Sequence, residues 1–172
     1  QRRGNGSYDY NAEVTVTVGG SEAIDIALRA MLDPGDEVRI PQPSYVSYVP
    51  CTVLADGVPV VIELEEKDQF KLTKEKLLEK ITPKTKILVL PFPNNPTGAV
   101  MTREDLAEIV PVIIENDLFV ISDEIYSELT YNGDHVTIAS FPGMKERTIL
   151  INGFSKSYAM TGWRLGYAAG TA

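Results

Sequence analysis

The chain has 172 residues, with sixteen basic against twenty-four acidic side chains and a net charge of -8. That balance excludes the broad electrostatic attraction by which nucleic acids and anionic membrane surfaces are bound, so any anionic ligand must be held by a local site. A 44% hydrophobic and 23% charged composition at this length suits one domain with a sizeable core, and no apolar run reaches the roughly 18 residues that cross a bilayer.

In chain order, "EVTVTV" from Glu13 to Val18 alternates as a strand, breaks at Gly19-Gly20 and gives way to "SEAIDIALRAMLDPGD", whose apolar residues recur at helical spacing. Ser21 suits the N-cap, Glu22 and Asp25 the first turn, and Pro34-Gly35 the stop. The alternation repeats: "EVRIP" before a helix around 45–55, "VPVVIEL" before "TKEKLLEKI", and "KILVLPF" before "TREDLAEIVPVIIEN". Pro111 is expected to kink or shorten that last helix. "LFVISDEIY" is a strand with an acidic end, and "ELTYNGDHVTI" is expected to place a turn at Asn132-Gly133 between extended pieces. "RTILING" and "RLGYAAG" are two late strands. Strands alternating with amphipathic helices predict an α/β fold in three layers (αβα), with a mostly parallel sheet of about seven strands.

Ligands of open α/β sheets bind beyond the carboxyl ends of the strands, and polar residues gather at those ends here. Gly19-Gly20-Ser21 follows the first strand and can cradle an anion on free N–H groups at a helix start. Neither GxGxxG nor GxxxxGK[ST] occurs, which argues against dinucleotide and P-loop nucleotide binding. Asp123 ends an apolar strand, where a carboxylate needs a positive partner, either structural or the protonated ring nitrogen of a ligand. Asn95 and Tyr126 can donate to a ligand oxygen, and Tyr45 can lay its ring on a flat ligand. Lys156, expected to be partly desolvated at the end of "RTILING", can act as an amine nucleophile, with Arg164 eight positions on. Taken singly, each has a commoner structural reading; together they describe a flat, phosphorylated cofactor with a cationic ring beside a lysine. Cys51, the sole cysteine, is expected to be a small buried hydrophobe and fits a reducing compartment. The sole histidine, His135, is not expected to be catalytic, and no metal site is expected.

"NNPTG" at Asn94 to Gly98, "SDEIY" at Ser122 to Tyr126 and "GFSKSYAMTGWRLG" at Gly153 to Gly166 closely resemble the class I aminotransferases of fold type I, in particular their prokaryotic aspartate, aromatic and PatA-type branches. The resemblance implies pyridoxal 5'-phosphate as cofactor, with Lys156 the Schiff-base lysine, Asp123 the partner of the ring nitrogen and Arg164 a phosphate ligand. It also implies that Asn95 and Tyr126 bond the ring 3-hydroxyl, that Tyr45 stacks on the ring, and that Gly20 and Ser21 hold phosphate. Many relatives have a serine three positions before the lysine; Gly153 stands here, so that contact is lost or falls to Ser155.

The activity implied is transfer of an amino group from an L-amino acid to a 2-oxo acid in a cytoplasmic homodimer that binds no nucleic acid or membrane. Alternatives are a lyase with the same cofactor and a ligand-sensing domain of a transcription regulator. Residues 1–172 are expected to form the cofactor-binding large domain of a longer protein, without its N-terminal arm and C-terminal small domain, and Gln1 begins no leader pattern.

Overall fold

A computed structural model describes residues 8–172; Gln1 and the first seven positions of the expected domain lie outside the described residues. Seven strands form one sheet: β1 (Val14–Thr17), β2 (Glu37–Gln42), β3 (Val58–Glu63), β4 (Thr85–Leu90), β5 (Phe119–Asp123), β6 (Thr148–Gly153) and β7 (Gly166–Ala169). Their order is β1-β7-β6-β5-β4-β2-β3. All pairs are parallel except those of β7, which runs against both β1 and β6. The carboxyl ends of the other six strands therefore share one edge with the start of β7.

The helices are α1 (Gly19–Met31), α2 (Tyr48–Leu54), α3 (Lys74–Lys80) and α4 (Arg103–Glu115). Strand alternation sorts the core onto the two sheet faces. Ile87 and Val89 of β4, with Ile121 of β5 and Ile151 of β6, pack with Ala23, Ile24 and Leu28 of α1 and Tyr48 of α2. Leu88 and Leu90, with Val120, pack with Leu77 of α3 and Leu106, Ile109 and Ile113 of α4. This is the three-layer αβα architecture, and it makes consecutive residues of β5 serve opposite layers.

Three local expectations are corrected. Ser21 is not the N-cap: α1 starts two residues earlier, Val18 stands at the cap position, and the Val18 N–H is taken by the Glu22 carboxylate. The Ser21 hydroxyl is therefore not used as a cap; it lines the cavity, where it meets the Tyr45 hydroxyl. Pro111 does not shorten α4, since the helix runs on past it to Glu115. The ring lies on the exposed face, where water can meet the carbonyl that a proline leaves without its N–H partner. The segment around Asn132-Gly133 holds no strand among the described residues; a 3-10 turn at Ser127–Leu129 and irregular chain occupy it.

Candidate active site

Two close approaches bring β7 and α1 together at the carboxyl edge. A Cβ on Gly166 would lie 2.5 Å from the carbonyl carbon of Gly19, and one on Gly19, whose φ is +75°, would lie 2.4 Å from Nη2 of Arg164. Glycine at both positions lets the Arg164 guanidinium lie over the first turn of α1, whose N–H groups face no intrahelical carbonyl. Arg164 itself has left-handed backbone, φ 52°, a conformation that costs a non-glycine residue about 1–3 kcal/mol and persists where surrounding contacts impose it. Its Nη1 donates to the Thr161 carbonyl at 3.1 Å and to Ser155 Oγ at 3.4 Å.

Around this corner is a cavity of about 250 Å³, and all nine residues expected from the sequence line it: Gly20, Ser21, Tyr45, Asn95, Asp123, Tyr126, Ser155, Lys156 and Arg164. They come from five strand ends and the start of a sixth. The turn at Asn94 is held by its buried side chain, whose Oδ1 accepts from the Thr97 N–H and hydroxyl and whose Nδ2 donates to the Pro43 carbonyl. Asn94 is therefore the structural member of "NNPTG", and the exposed Asn95 is the one at the cavity.

Asp123 is the buried anion of the site, 7% exposed. Its Oδ2 accepts from the Tyr48 hydroxyl at 2.7 Å and its Oδ1 from the Ile125 N–H at 3.1 Å. Burial drives its pKa above the ordinary carboxylate range despite these two bonds. Both donors are neutral, and no ion pair reaches Asp123 among the described residues. Tyr48 keeps its proton, since burial first and the neighbouring Asp123 next push its pKa well up. Sequence reasoning missed Tyr48 because it sits one helical turn after Tyr45 and looks like core. Its ring meets that of Tyr45 edge to face at 5.7 Å, and Tyr45 in turn shares a 3.4 Å hydrogen bond with Ser21.

Lys156 departs from expectation in one respect. It is exposed, so in this chain it is not desolvated by the strand it follows; its Nζ lies 5.8 Å from the Tyr126 ring centroid. The segment carrying it leaves β6 and closes as a turn, with the Ala159 N–H on the Lys156 carbonyl and both Tyr158 and Met160 on that of Phe154, which holds Lys156 at the cavity mouth.

The glycine at 153 also has a packing reason. A Cβ there would come 3.0 Å from the Leu165 carbonyl oxygen and 3.1 Å from Gly166 Cα, so the β6–β7 junction leaves little room for serine. The hydroxyl that reaches Arg164 belongs to Ser155.

A mostly parallel α/β sheet with N–H groups, an arginine, a lysine and a buried carboxylate converging beyond its strand ends has the groups of a candidate anion-binding site at that edge. The chain belongs to the class I and II aminotransferase family, whose model matches residues 2–172. It is 46% identical over 170 residues to an aspartate aminotransferase of Pyrococcus abyssi, covering 98% of this chain and 44% of that protein. It is likewise 46% identical to aromatic-amino-acid aminotransferase 2 of Thermococcus litoralis over 94% of this chain and 42% of the relative. The crystal structure of an aromatic aminotransferase from Pyrococcus horikoshii superposes with a TM-score of 0.96 at 46% identity, covering 99% of this chain and 46% of that one. The chain thus spans less than half the length of the relatives it matches.

Proposed function

We propose that this chain is the cofactor-binding domain of an aminotransferase that moves an amino group from an L-amino acid to a 2-oxo acid. Family membership supports the activity, and one observation in the site carries the cofactor assignment. Asp123 is a buried carboxylate raised in pKa by desolvation, facing a cavity with neutral donors alone on its oxygens. A protonated ring nitrogen is the partner such a group lacks. The same cavity offers N–H groups of α1, two serine hydroxyls and Arg164 for a phosphate, so the residues present fit pyridoxal phosphate, the cofactor of this family.

When bound, the cofactor supplies an electron sink for the substrate Cα. Asp123 would keep its ring nitrogen protonated, with Tyr48 and the Ile125 N–H fixing the carboxylate. Arg164, Ser21, Ser155 and the Gly20 N–H would hold the phosphate, Tyr45 would cover the ring, and Asn95 and Tyr126 would bond its phenolic oxygen. Lys156 would hold the cofactor through Nζ and, once a substrate amine has taken its place, take the Cα proton as general base and return it. Exposure of Lys156 supports completion of the site by further protein, consistent with a homodimer. A cytoplasmic setting belongs to the same reading.

The test mixes the full-length protein that carries this chain with pyridoxal phosphate, a panel of amino acids and 2-oxoglutarate. Formation of the matching oxo acid and glutamate is expected, while release of ammonia or a thiol in its place overturns transamination in favour of lyase chemistry. Lys156→Ala is expected to abolish turnover and the visible absorbance of lysine-bound cofactor. An unchanged spectrum in that variant removes Lys156 from its role.

A further inference from the structure

On the opposite face of β5 from the cavity lies a second buried carboxylate, to which nothing above gives a task. The alternation that sends Asp123 toward α1 and α2 sends Ser122 and Glu124 toward the α4 layer. Glu124 is 4% exposed. Its Oε1 accepts from Ser122 Oγ at 3.0 Å and from Thr137 Oγ1 at 2.6 Å, and its Oε2 lies 2.7 Å from His135 Nε2. Its backbone is tied as well: the Glu124 N–H donates to the Ile151 carbonyl on β6, and its carbonyl accepts from the Ser127 N–H. That second bond closes the corner containing Ile125 and Tyr126.

Those two residues are the ones that matter to the cavity. The Ile125 N–H holds one Asp123 oxygen, and Tyr126 lines the cavity beside Lys156. The corner belongs to neither a strand nor a helix, so β5 alone does not orient it. Its side-chain anchor is a carboxylate clamped from behind by residues 135–137, eleven or more positions along the chain. Burying a carboxylate carries a desolvation penalty that its partners must offset, and an apolar residue of similar volume packs such a spot without that penalty. What a hydrogen-bonded carboxylate adds over an apolar side chain is direction.

We propose that Glu124 and His135 form a positioning pair that sets the orientation of the Asp123 carboxylate and the Tyr126 ring toward the cofactor, with Ser122 and Thr137 completing the clamp. His135 acts through Glu124 and touches no reacting atom. The inference rests on the cofactor reading above.

The experiment titrates pyridoxal phosphate into the full-length protein that carries this chain and into its His135→Ala and His135→Gln variants at a temperature well below their unfolding midpoints, following visible absorbance, and then compares kcat with KM. His135→Ala is expected to weaken cofactor binding roughly tenfold, shift the bound absorbance band and lower kcat more than KM. His135→Gln, which keeps an N–H donor for Glu124, is expected to restore affinity and spectrum. A His135→Ala protein with the wild-type dissociation constant and spectrum overturns the positioning pair, whatever its melting temperature. A wild-type protein that takes up no cofactor overturns the parent reading and this one with it.

Discussion

At the scale of single residues, the chemistry of the site turns on a buried carboxylate that has no positively charged partner among the described residues. Asp123 is raised in pKa by burial, and the Tyr48 hydroxyl is the largest influence acting the other way. Tyr48→Phe is therefore expected to push Asp123 higher still and to lower stability at neutral pH by about 1.5–3 kcal/mol, the worth of a hydrogen bond to a charged group. The bond is to the ionised form, so the difference between variant and wild type should shrink as pH falls through the folded pKa of Asp123. Urea denaturation across that range measures it, and a loss that stays constant with pH would remove the charge from the explanation. Cofactor affinity should fall in the same variant. Lys156, Asp123 and Arg164 were each legible in the sequence as a charged residue beside a strand end; Tyr48 was not, because a tyrosine one turn into the expected helix of 45–55 reads as packing until its hydroxyl is seen against a carboxylate 75 positions away.

Elements show the same division between local and distant causes. The start of α4 is written in four consecutive residues. Thr102 accepts from the Asp105 N–H at 3.2 Å, and the Asp105 carboxylate accepts from the Thr102 N–H at 2.7 Å, a reciprocal capping box. Thr102→Ala is expected to cost about 1 kcal/mol in chemical denaturation, and Thr102→Ser to cost much less. A neutral Thr102→Ala would show that packing of Leu106, Ile109 and Ile113 alone holds the helix end. The start of α1 is different. The Gly19-Gly20 turn was legible, but the cap was not, because Glu22 reaches back to Val18 and Ser21 is turned to the cavity. The irregular chain after β5 was misjudged as extended for a related reason: its anchor is Glu124, a tertiary partner, and not a neighbouring strand.

For the molecule as a whole, acid should act through carboxylates held ionised by partners. The Lys86 ammonium first, and the Asp33 N–H next, lower the pKa of Asp36; the Thr82 hydroxyl and then Arg39 lower that of Glu37; and Lys76 and Lys67 hold Glu65 at about 2. Arg39 is wholly buried in β2 and lies 2.7 Å from Glu37 at the start of the same strand. Because these folded pKa values lie below the ordinary 3.8 and 4.5, their contribution is present above those values and is lost as pH falls through the folded ones. Asp123, shifted the opposite way, works against this trend. The expected net result is a melting temperature that declines from about pH 4.5 toward about pH 2, less steeply in high salt, since the pairs of Glu65 and Asp36 are open to screening. A flat profile over that interval in Asp123→Asn, where the opposing group is removed, would show that these pairs carry no stability.

What the sequence determined by itself was the pattern set by neighbours along the chain: strand and helix alternation, the strand-end position of most polar groups, and the run from Lys156 to Arg164. These depend on periodicity and turn chemistry, which act over a few residues. The tertiary structure decided which strands lie side by side, and through that which strand ends meet. The reversed β7 brings Arg164 over Gly19, and strand alternation in β5 splits Asp123 from Glu124 onto opposite faces. Burial and charge partnering, which give Asp123 its raised pKa and leave Lys156 exposed, depend on distances between residues far apart in sequence, and those exist once the sheet has formed.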